Sequence, residues 1–336
     1  ITLGNESGFL LRKEGSDRGM QAKSPALTLT ADPTGVIAVN GKKTTLDTVL
    51  ISPATDTGVT LGNHTYRGLF VAMVRNGTVV CINHVPLEEY VYSVVRWESW
   101  PGWPLEVNQA FAVACRSYAV AMRKRARARG ALYDVCNTNA HQTYKGIHTA
   151  DHLWQAVEST RGVVMLHEGE PIVAMYDSCC GGVVPTKMDN PAIKKYPYLA
   201  RSYPCTYCQS SKLYSWHVTY DQHQFAQLVN SNSRPVVSVE TQADRAGVVR
   251  SVRCKQGTSW ISRTGAEIYS ACKEIKSFCF TIQKKAHKIC IEGRGFGHHI
   301  GLCQWGAREM ARLGKSWREM LNFYYPSVRF DRITPV

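Results

Sequence analysis

Over the first eighty or so residues, apolar and polar positions alternate in short runs punctuated by Gly, Asn and Asp. The run "TGVIAVNGKKTT" alternates around Asn40-Gly41, and this dipeptide predicts a hairpin because it accepts the two positive-φ positions of a tight turn. In "HTYRGLFVAMVRNGTVVCINHVPLEEYV" two β-rich runs meet at Asn76-Gly77, which predicts a second hairpin. The period then changes. Val107, Phe111, Ala114, Tyr118 and Met122 recur at three- and four-residue steps, so a long helix with one apolar face is expected. Pro104 suits its first position and Gly130 its stop. Further on, "GVVMLHEGEPIVAMYDS" predicts a strand and "LCQWGAREMARLG" a helix stopped by Gly314. Ser316 and Glu319 have the spacing of a capping box for a last helix through Tyr325, closed by Pro326.

These elements predict an α+β fold of mixed strands, with a long core helix after the turn at Glu98, C-terminal helices and an inserted smaller domain. The expected boundaries are a β-rich segment at 1–72, a first part of the core at 73–208, an inserted or docking part at 209–289, and a return to the core at 290–336. The second boundary follows the change to polar sequence after "PCTYC", 204–208. No internal repeat or low-complexity tract occurs, and no run approaches the roughly 20 apolar residues of a membrane span. The first residue is Ile1, so a processed or truncated N-terminus is expected, with a removed signal or anchor out of view.

Composition narrows the partners. The formal net charge is +14, which favours an anionic partner: an acidic polymer, a membrane surface or nucleic acid. Simple solubility is the competing explanation. The densest basic run, Arg123, Lys124, Arg125, Arg127 and Arg129, lies at a helix end, where cations also suit the macrodipole. No nucleic-acid partner is expected. Twelve cysteines permit disulfides in an oxidising compartment, but their spacing is not that of a small knotted scaffold.

Four stretches carry candidate chemistry. Glu98 stands among Trp97, Trp100 and Trp103. A carboxyl group against indole loses hydration and holds its proton more tightly, which is what a general acid needs. A solvated turn residue beside core tryptophans is the alternative. In "DVCNTNAHQTYKG", Cys136 and His141 are candidate metal ligands, with His148 nearby, though the spacing matches no closed zinc motif. Gln142 and Tyr144 could face a polar ligand. Cys205-x-x-Cys208, with Cys179 or Cys180 supplying further thiolates, suits a structural metal site or a disulfide better than catalysis. "GRGFGHHIGLCQWGA" lacks the glycine spacing of a dinucleotide site and has no phosphate-loop lysine, so nucleotide binding is excluded. Its glycine-dense loop, carrying His298 and His299, is suited to close approach to a substrate. Cys115, in mid-helix, reads as a core residue, and neither H-E-x-x-H nor G-x-S-x-G occurs.

Taken together, "PLEEYVYSVVRWESWPGWPLEVNQAFAVACRSYAV", "YDVCNTNAHQTYKG", "YDSCCGG" with "PYLARSYPCTYC", and "GRGFGHHIGLCQWGAREMARLGKSWREMLNFYYP" occur in the order of the stage II sporulation protein D (SpoIID/LytB) family, which the chain resembles over roughly residues 65–210 and 290–328. The resemblance implies a bacterial lytic transglycosylase acting on peptidoglycan strands stripped of stem peptides. It implies work outside the cytoplasmic membrane, anchored when full length, alongside a cell-wall amidase and membrane-anchored partners. By motif the catalytic glutamate falls on Glu98, after the "EEY" strand. Arg116, Gln142, Tyr144, Ser178, His298 and Gln304 match positions expected around the substrate groove. The chemistry needs no cofactor. A zinc site beside the active site, as in some members, would use Cys136 and His141, and Cys180, Cys205 and Cys208 match a separate, structural cysteine set.

The chain departs from the family's pattern in three places. "SWPGW" follows the glutamate, Asp177 replaces the histidine of Y-H-S, and His299 replaces the second glycine of G-H-G. Two rival functions remain at this point: a glycan-binding activator of an amidase that cuts nothing itself, and a metal-dependent hydrolase using Cys136, His141 and a histidine of 298–299.

Overall fold

The computed structural model describes residues 1–16, 18–100, 102–138, 140–230 and 234–333. The chain forms two compact units. Unit 1 comprises Ile1–Gly102, Phe111–Val163 and Arg332–Val336, and unit 2 comprises Trp103–Ala110 and Val164–Asp331. The mixed α+β class read from the sequence describes both.

Unit 1 begins with two antiparallel sheets. The first has the order Lys42–Lys43, Ile37–Val39, Ala26–Ala31, Thr2–Gly4, Val59–Leu61, His64–Tyr66. The second has the order Thr78–His84, Leu69–Arg75, Thr48–Pro53, Phe9–Arg12, Gly19–Ala22. Period-two alternation selects the buried face: along Ala26–Ala31, Leu27 and Leu29 point inward while Thr28 and Thr30 face out. Both predicted hairpins form, with Asn40 and Gly41 at φ 48° and 75° and Asn76 and Gly77 at φ 50° and 73°. The boundary expected at 72 falls inside the strand Leu69–Arg75, which pairs with both neighbours in its sheet.

Helix α1, Leu87–Glu98, replaces the strand and turn expected around "EEYVYSVV". The strand at "EEY" is what the resemblance implies. Burial of Tyr90, Val91, Val94 and Val95 at helical spacing against the rest of unit 1 makes the segment helical instead. Glu98 is therefore the last residue of a helix, not a turn residue. Helix α2, Leu105–Ala128, is the predicted long helix; its residues to Ala110 count with unit 2 and the remainder with unit 1. Helix α3 is Asp151–Ser159.

In unit 2 the single strand expected at "GVVMLHEGEPIVAMYDS" is broken into Val163–His167, Glu170–Pro171 and Tyr176–Asp177, because Glu168 and Gly169 take left-handed φ values of 52° and 84°. Helix α4 is Pro191–Lys195, α5 Gln222–Asn230 and α6 Gly265–Ala271. Two three-stranded antiparallel sheets, ordered Ser215–Asp221, Lys288–Arg294, Phe280–Lys285 and Val236–Ala243, Val249–Gln256, Ser259–Thr264, share with α5 and α6 a core containing Phe225, Val252, Ile268 and Ile291. The segment expected to be inserted thus has a core of its own, and that core extends to the strand ending at Arg294. Helices α7, Gln304–Arg312, and α8, Trp317–Tyr324, close the unit. The predicted capping box on α8 is present in both directions: Glu319 N–H donates to Ser316 Oγ, and Ser316 N–H donates to the Glu319 carboxylate.

Candidate active site and cysteine cluster

In unit 1, Glu98 projects from the C-terminal end of α1 and is half-buried. Its Oε1 accepts the backbone N–H of Thr143 at 2.7 Å, which fixes the carboxylate against the segment 142–147. That segment has no regular structure but is held along its length. Tyr90 Oη donates to Gln142 Oε1 at 3.0 Å, Tyr144 Oη donates to Asn83 Oδ1 at 2.7 Å, and Ile147 N–H donates to Thr65 O at 2.7 Å. Gln142 and Tyr144, expected to meet substrate, are almost fully buried. Burial pushes the Tyr90 and Tyr144 hydroxyls well above the usual tyrosine range, so both remain donors.

The tryptophans divide. Trp97 is 41% exposed, with the Lys145 ammonium 4.1 Å from its ring centroid and the Arg96 guanidinium at 5.3 Å. Trp100 is also exposed. Trp103 belongs to unit 2 and packs edge-on against Trp305 at 5.6 Å. Trp97 is therefore a surface ring bounded by two cations, not a core residue.

Arg116 does not line a groove. It is 0% exposed, and all its N–H groups are engaged. Nε and Nη2 donate to the Glu88 carboxylate, with Nη2 at 2.6 Å, and the remaining donors reach the carbonyls of Ala112, Val157 and Val163. Glu88 also accepts Gly162 N–H at 3.0 Å. This buried pair ties α1, α2 and the end of α3 together, so the expected substrate contact is corrected to a structural one.

Two concavities lie along the loop that follows. One, of about 260 Å³, is lined by Arg67, Glu89, Tyr92, Tyr144, His148 and Trp154. A broader one of about 650 Å³ adjoins it through Ile147, His148 and Thr149 and reaches His64 and Arg96. Neither is lined by Glu98 itself; they flank the helix that carries it. Cys136 and His141 do meet, with Sγ and Nδ1 3.1 Å apart. Among the described residues they form no group of three candidate metal ligands.

In unit 2 the strands Tyr176–Asp177 and Leu302–Cys303 run parallel in register, so Ser178 and Gln304 follow at the same end. Trp305 N–H donates to Ser178 O at 3.1 Å and fixes their spacing. Ser178 and His298 are half-buried and Gln304 is buried. Burial pushes the His298 imidazole down to about 4, so it is neutral at physiological pH. Asp177 is fully enclosed. Burial raises its carboxyl well above the usual range, and its Oδ1 has no hydrogen-bond partner among the described residues.

The cysteines give the clearest geometry. None of the twelve is in a disulfide. The Sγ atoms of Cys180, Cys205, Cys208 and Cys303 lie within 4.8 Å of one another, and all four residues are buried. Three of the four were expected from the sequence. Cys303 was missed, as were Glu88 and Thr143. Nothing in the spacing links Cys303 to a cysteine 123 positions earlier. Only the parallel strand pair brings them together.

A profile of the family described as "SpoIID: Stage II sporulation protein" matches residues 75–167, the part of the chain containing α1, α2 and the 142–147 segment. An uncharacterized protein of Brachyspira hyodysenteriae is 30% identical over 82% of this chain and 74% of its own length. The stage II sporulation protein D of Bacillus subtilis is 26% identical over 74% of this chain and 76% of its own length. The amidase enhancer of the same organism is 26% identical over 69% of this chain, an alignment that spans only 39% of that relative.

Proposed function

Because the chain belongs to the SpoIID, stage II sporulation protein, family, we propose that it is an extracytoplasmic lytic transglycosylase that cuts peptide-stripped peptidoglycan strands between N-acetylmuramic acid and N-acetylglucosamine, with Glu98 as its acid and base. The observation that carries this reading is the carboxylate of Glu98 held at 2.7 Å by the Thr143 amide, at the end of a packed helix and beside the exposed face of Trp97.

A glycosidase that delivers water to the anomeric carbon uses two carboxylates. A lytic transglycosylase can use one. Glu98 gives its proton to the oxygen leaving C1 of N-acetylmuramic acid, and the C1–O bond breaks. The 6-hydroxyl of the same sugar bonds to C1 and closes a 1,6-anhydro ring. Its proton returns to Glu98, so no water is consumed and the acid is regenerated. Lys145 and Arg96 around Trp97 supply positive charge for the lactate carboxylate exposed when the stem peptide is gone.

The test is digestion of peptide-free glycan strands by the purified protein, with mass spectrometry of the products. Fragments one water lighter than hydrolysis products, absent with Glu98→Gln, support the mechanism. Water-bearing products, or cleavage that survives Glu98→Gln, sink it. The similarity to an amidase enhancer supports a second reading: a glycan-binding activator of a cell-wall amidase. Retained strand binding with no cleavage by the wild-type chain, together with faster turnover of an added amidase, would favour that reading.

A further inference from the structure

We propose that Cys180, Cys205, Cys208 and Cys303 bind one Zn²⁺ as a closed four-thiolate site that locks the start of α7 to the loop after Tyr176–Asp177.

Distance is the first argument. A tetrahedron with Zn–S bonds of about 2.3 Å has S···S edges of about 3.8 Å. Cys180 Sγ and Cys208 Sγ are 3.8 Å apart, and no pair in the group exceeds 4.8 Å. Disulfide sulfurs would stand about 2 Å apart. A polynuclear iron–sulfur cluster carries its thiolates on separate metal atoms and would spread them further than a single shell around one ion.

The surroundings are those of bound thiolates. Cys180 N–H and Gly306 N–H both point at Cys303 Sγ, at 3.2 and 3.4 Å. The Tyr324 hydroxyl lies 3.2 Å from Cys205 Sγ. Such second-shell hydrogen bonds orient ligands and temper their charge. Gly306 is required: a Cβ there would come within 2.0 Å of Tyr324 Oη and 3.0 Å of Cys205 Sγ.

Charge provides an independent argument. Four thiols that release four protons to one Zn²⁺ leave a net charge of −2 in a buried place. Arg201 is fully buried, donates to the carbonyls of Val183 and Tyr203, and forms no ion pair among the described residues, although the buried Asp177 carboxyl lies within its electrostatic reach. Its guanidinium also lies 6.0 Å from the ring of Tyr324, the residue that touches Cys205. A net-negative metal–thiolate centre across the Tyr324 ring from this buried cation lowers the cost of burying both charges.

The ligands come from three separate stretches of unit 2: the loop after Asp177, the 205–208 turn, and the residue that N-caps α7. The ion therefore does the work of a cross-link where no disulfide exists. It also sets the spacing of Ser178 and Gln304, each within two residues of a ligand. The metal readout does not depend on the proposed reaction, so either can fail alone.

The experiment is metal analysis of the full chain, purified under reducing conditions, with Cys303→Ser and Cys179→Ser beside it. About one zinc per chain is expected in the wild type and in Cys179→Ser, whose thiol is buried nearby but is not a ligand, and near zero in Cys303→Ser. In case Cys303→Ser fails to fold, wild-type chain refolded with Co²⁺ is measured as well. Intense thiolate-to-cobalt absorption with tetrahedral visible bands is expected. Iron in place of zinc, zinc retained at full stoichiometry in folded Cys303→Ser, or a metal-free wild type with Cys180, Cys205, Cys208 and Cys303 found in disulfides would each overturn the proposal.

Discussion

The backbone N–H of His299 donates to Asp177 Oδ2 at 2.6 Å, joining the two positions at which the chain departs from the Y-H-S and G-H-G patterns. His299 has φ 69°, a conformation that glycine adopts at no cost, and its Nδ1 lies 3.0 Å from Cys180 O. Asp177→His removes the acceptor of the buried His299 N–H and is expected to destabilise unit 2 by about 1–3 kcal/mol. His299→Gly keeps that N–H and loses only the imidazole contact with Cys180 O, while relieving a non-glycine residue of positive φ, so it is expected to cost less. Denaturant unfolding of the two variants measures the difference, and an equal or smaller loss for Asp177→His would show that its contact with the 299 amide carries little energy.

Removing one partner of the buried Glu88–Arg116 pair should be severe. Glu88→Ala or Arg116→Ala is expected to lose about 3–5 kcal/mol, because an uncompensated charge is left inside. Replacing both with Leu and Met should recover part of this but not all. The carbonyls of Val157 and Val163 and the amide of Gly162 would still lose their partners, at about 1–3 kcal/mol. Chemical denaturation of the three variants tests the order.

Glu98→Gln should leave stability within about 0.5 kcal/mol of wild type, since the amide carbonyl can still accept from Thr143 N–H. Trp97→Ala should cost less than about 1 kcal/mol, the worth of an exposed cation–π contact. The expected loss is instead in strand affinity, read by co-sedimentation with peptide-free glycan. Unchanged binding would remove Trp97 from the sugar site.

The α8 cap gives a pH dependence of known sign. Hydrogen bonds from Ser316 and the Lys315 ammonium hold the Glu319 carboxyl down to about 2, below its ordinary value of 4.5. The ionised form is the bound form. Its contribution is fully present above pH 4.5 and is lost as pH falls through 2. Protection of α8 amides from hydrogen exchange should decline across that window, and Glu319→Gln should flatten the decline.

The sequence made some elements legible and hid others for physical reasons. Asn40-Gly41, Asn76-Gly77 and Ser316-x-x-Glu319 are local codes, complete within a few residues, and each formed as expected. Helix α1 was misread because the strand before Glu98 comes from the resemblance at "EEY", whereas long-range packing of Tyr90, Val91, Val94 and Val95 makes the segment helical. Glu98 could be singled out from its neighbours, but Thr143, which holds it, is an ordinary threonine whose contribution is a backbone amide. Arg116 was placed near substrate because a motif arginine invites a binding role. Its partner Glu88 is 28 positions away, on another helix.

The attachment of the 142–147 segment to Thr65 and Asn83 bears on how this chain can be divided. Both anchors lie in β-strands, and Thr65 precedes the residue-72 boundary at which the sequence invites a cut. A shortened protein starting there would keep Glu98 and the residue that grips it. It would lose the strand that keeps the gripping segment in place. The β-rich start of the chain and Glu98 form a single mechanical part, so trimming from the front to residue 72 is expected to loosen the grip on that carboxylate.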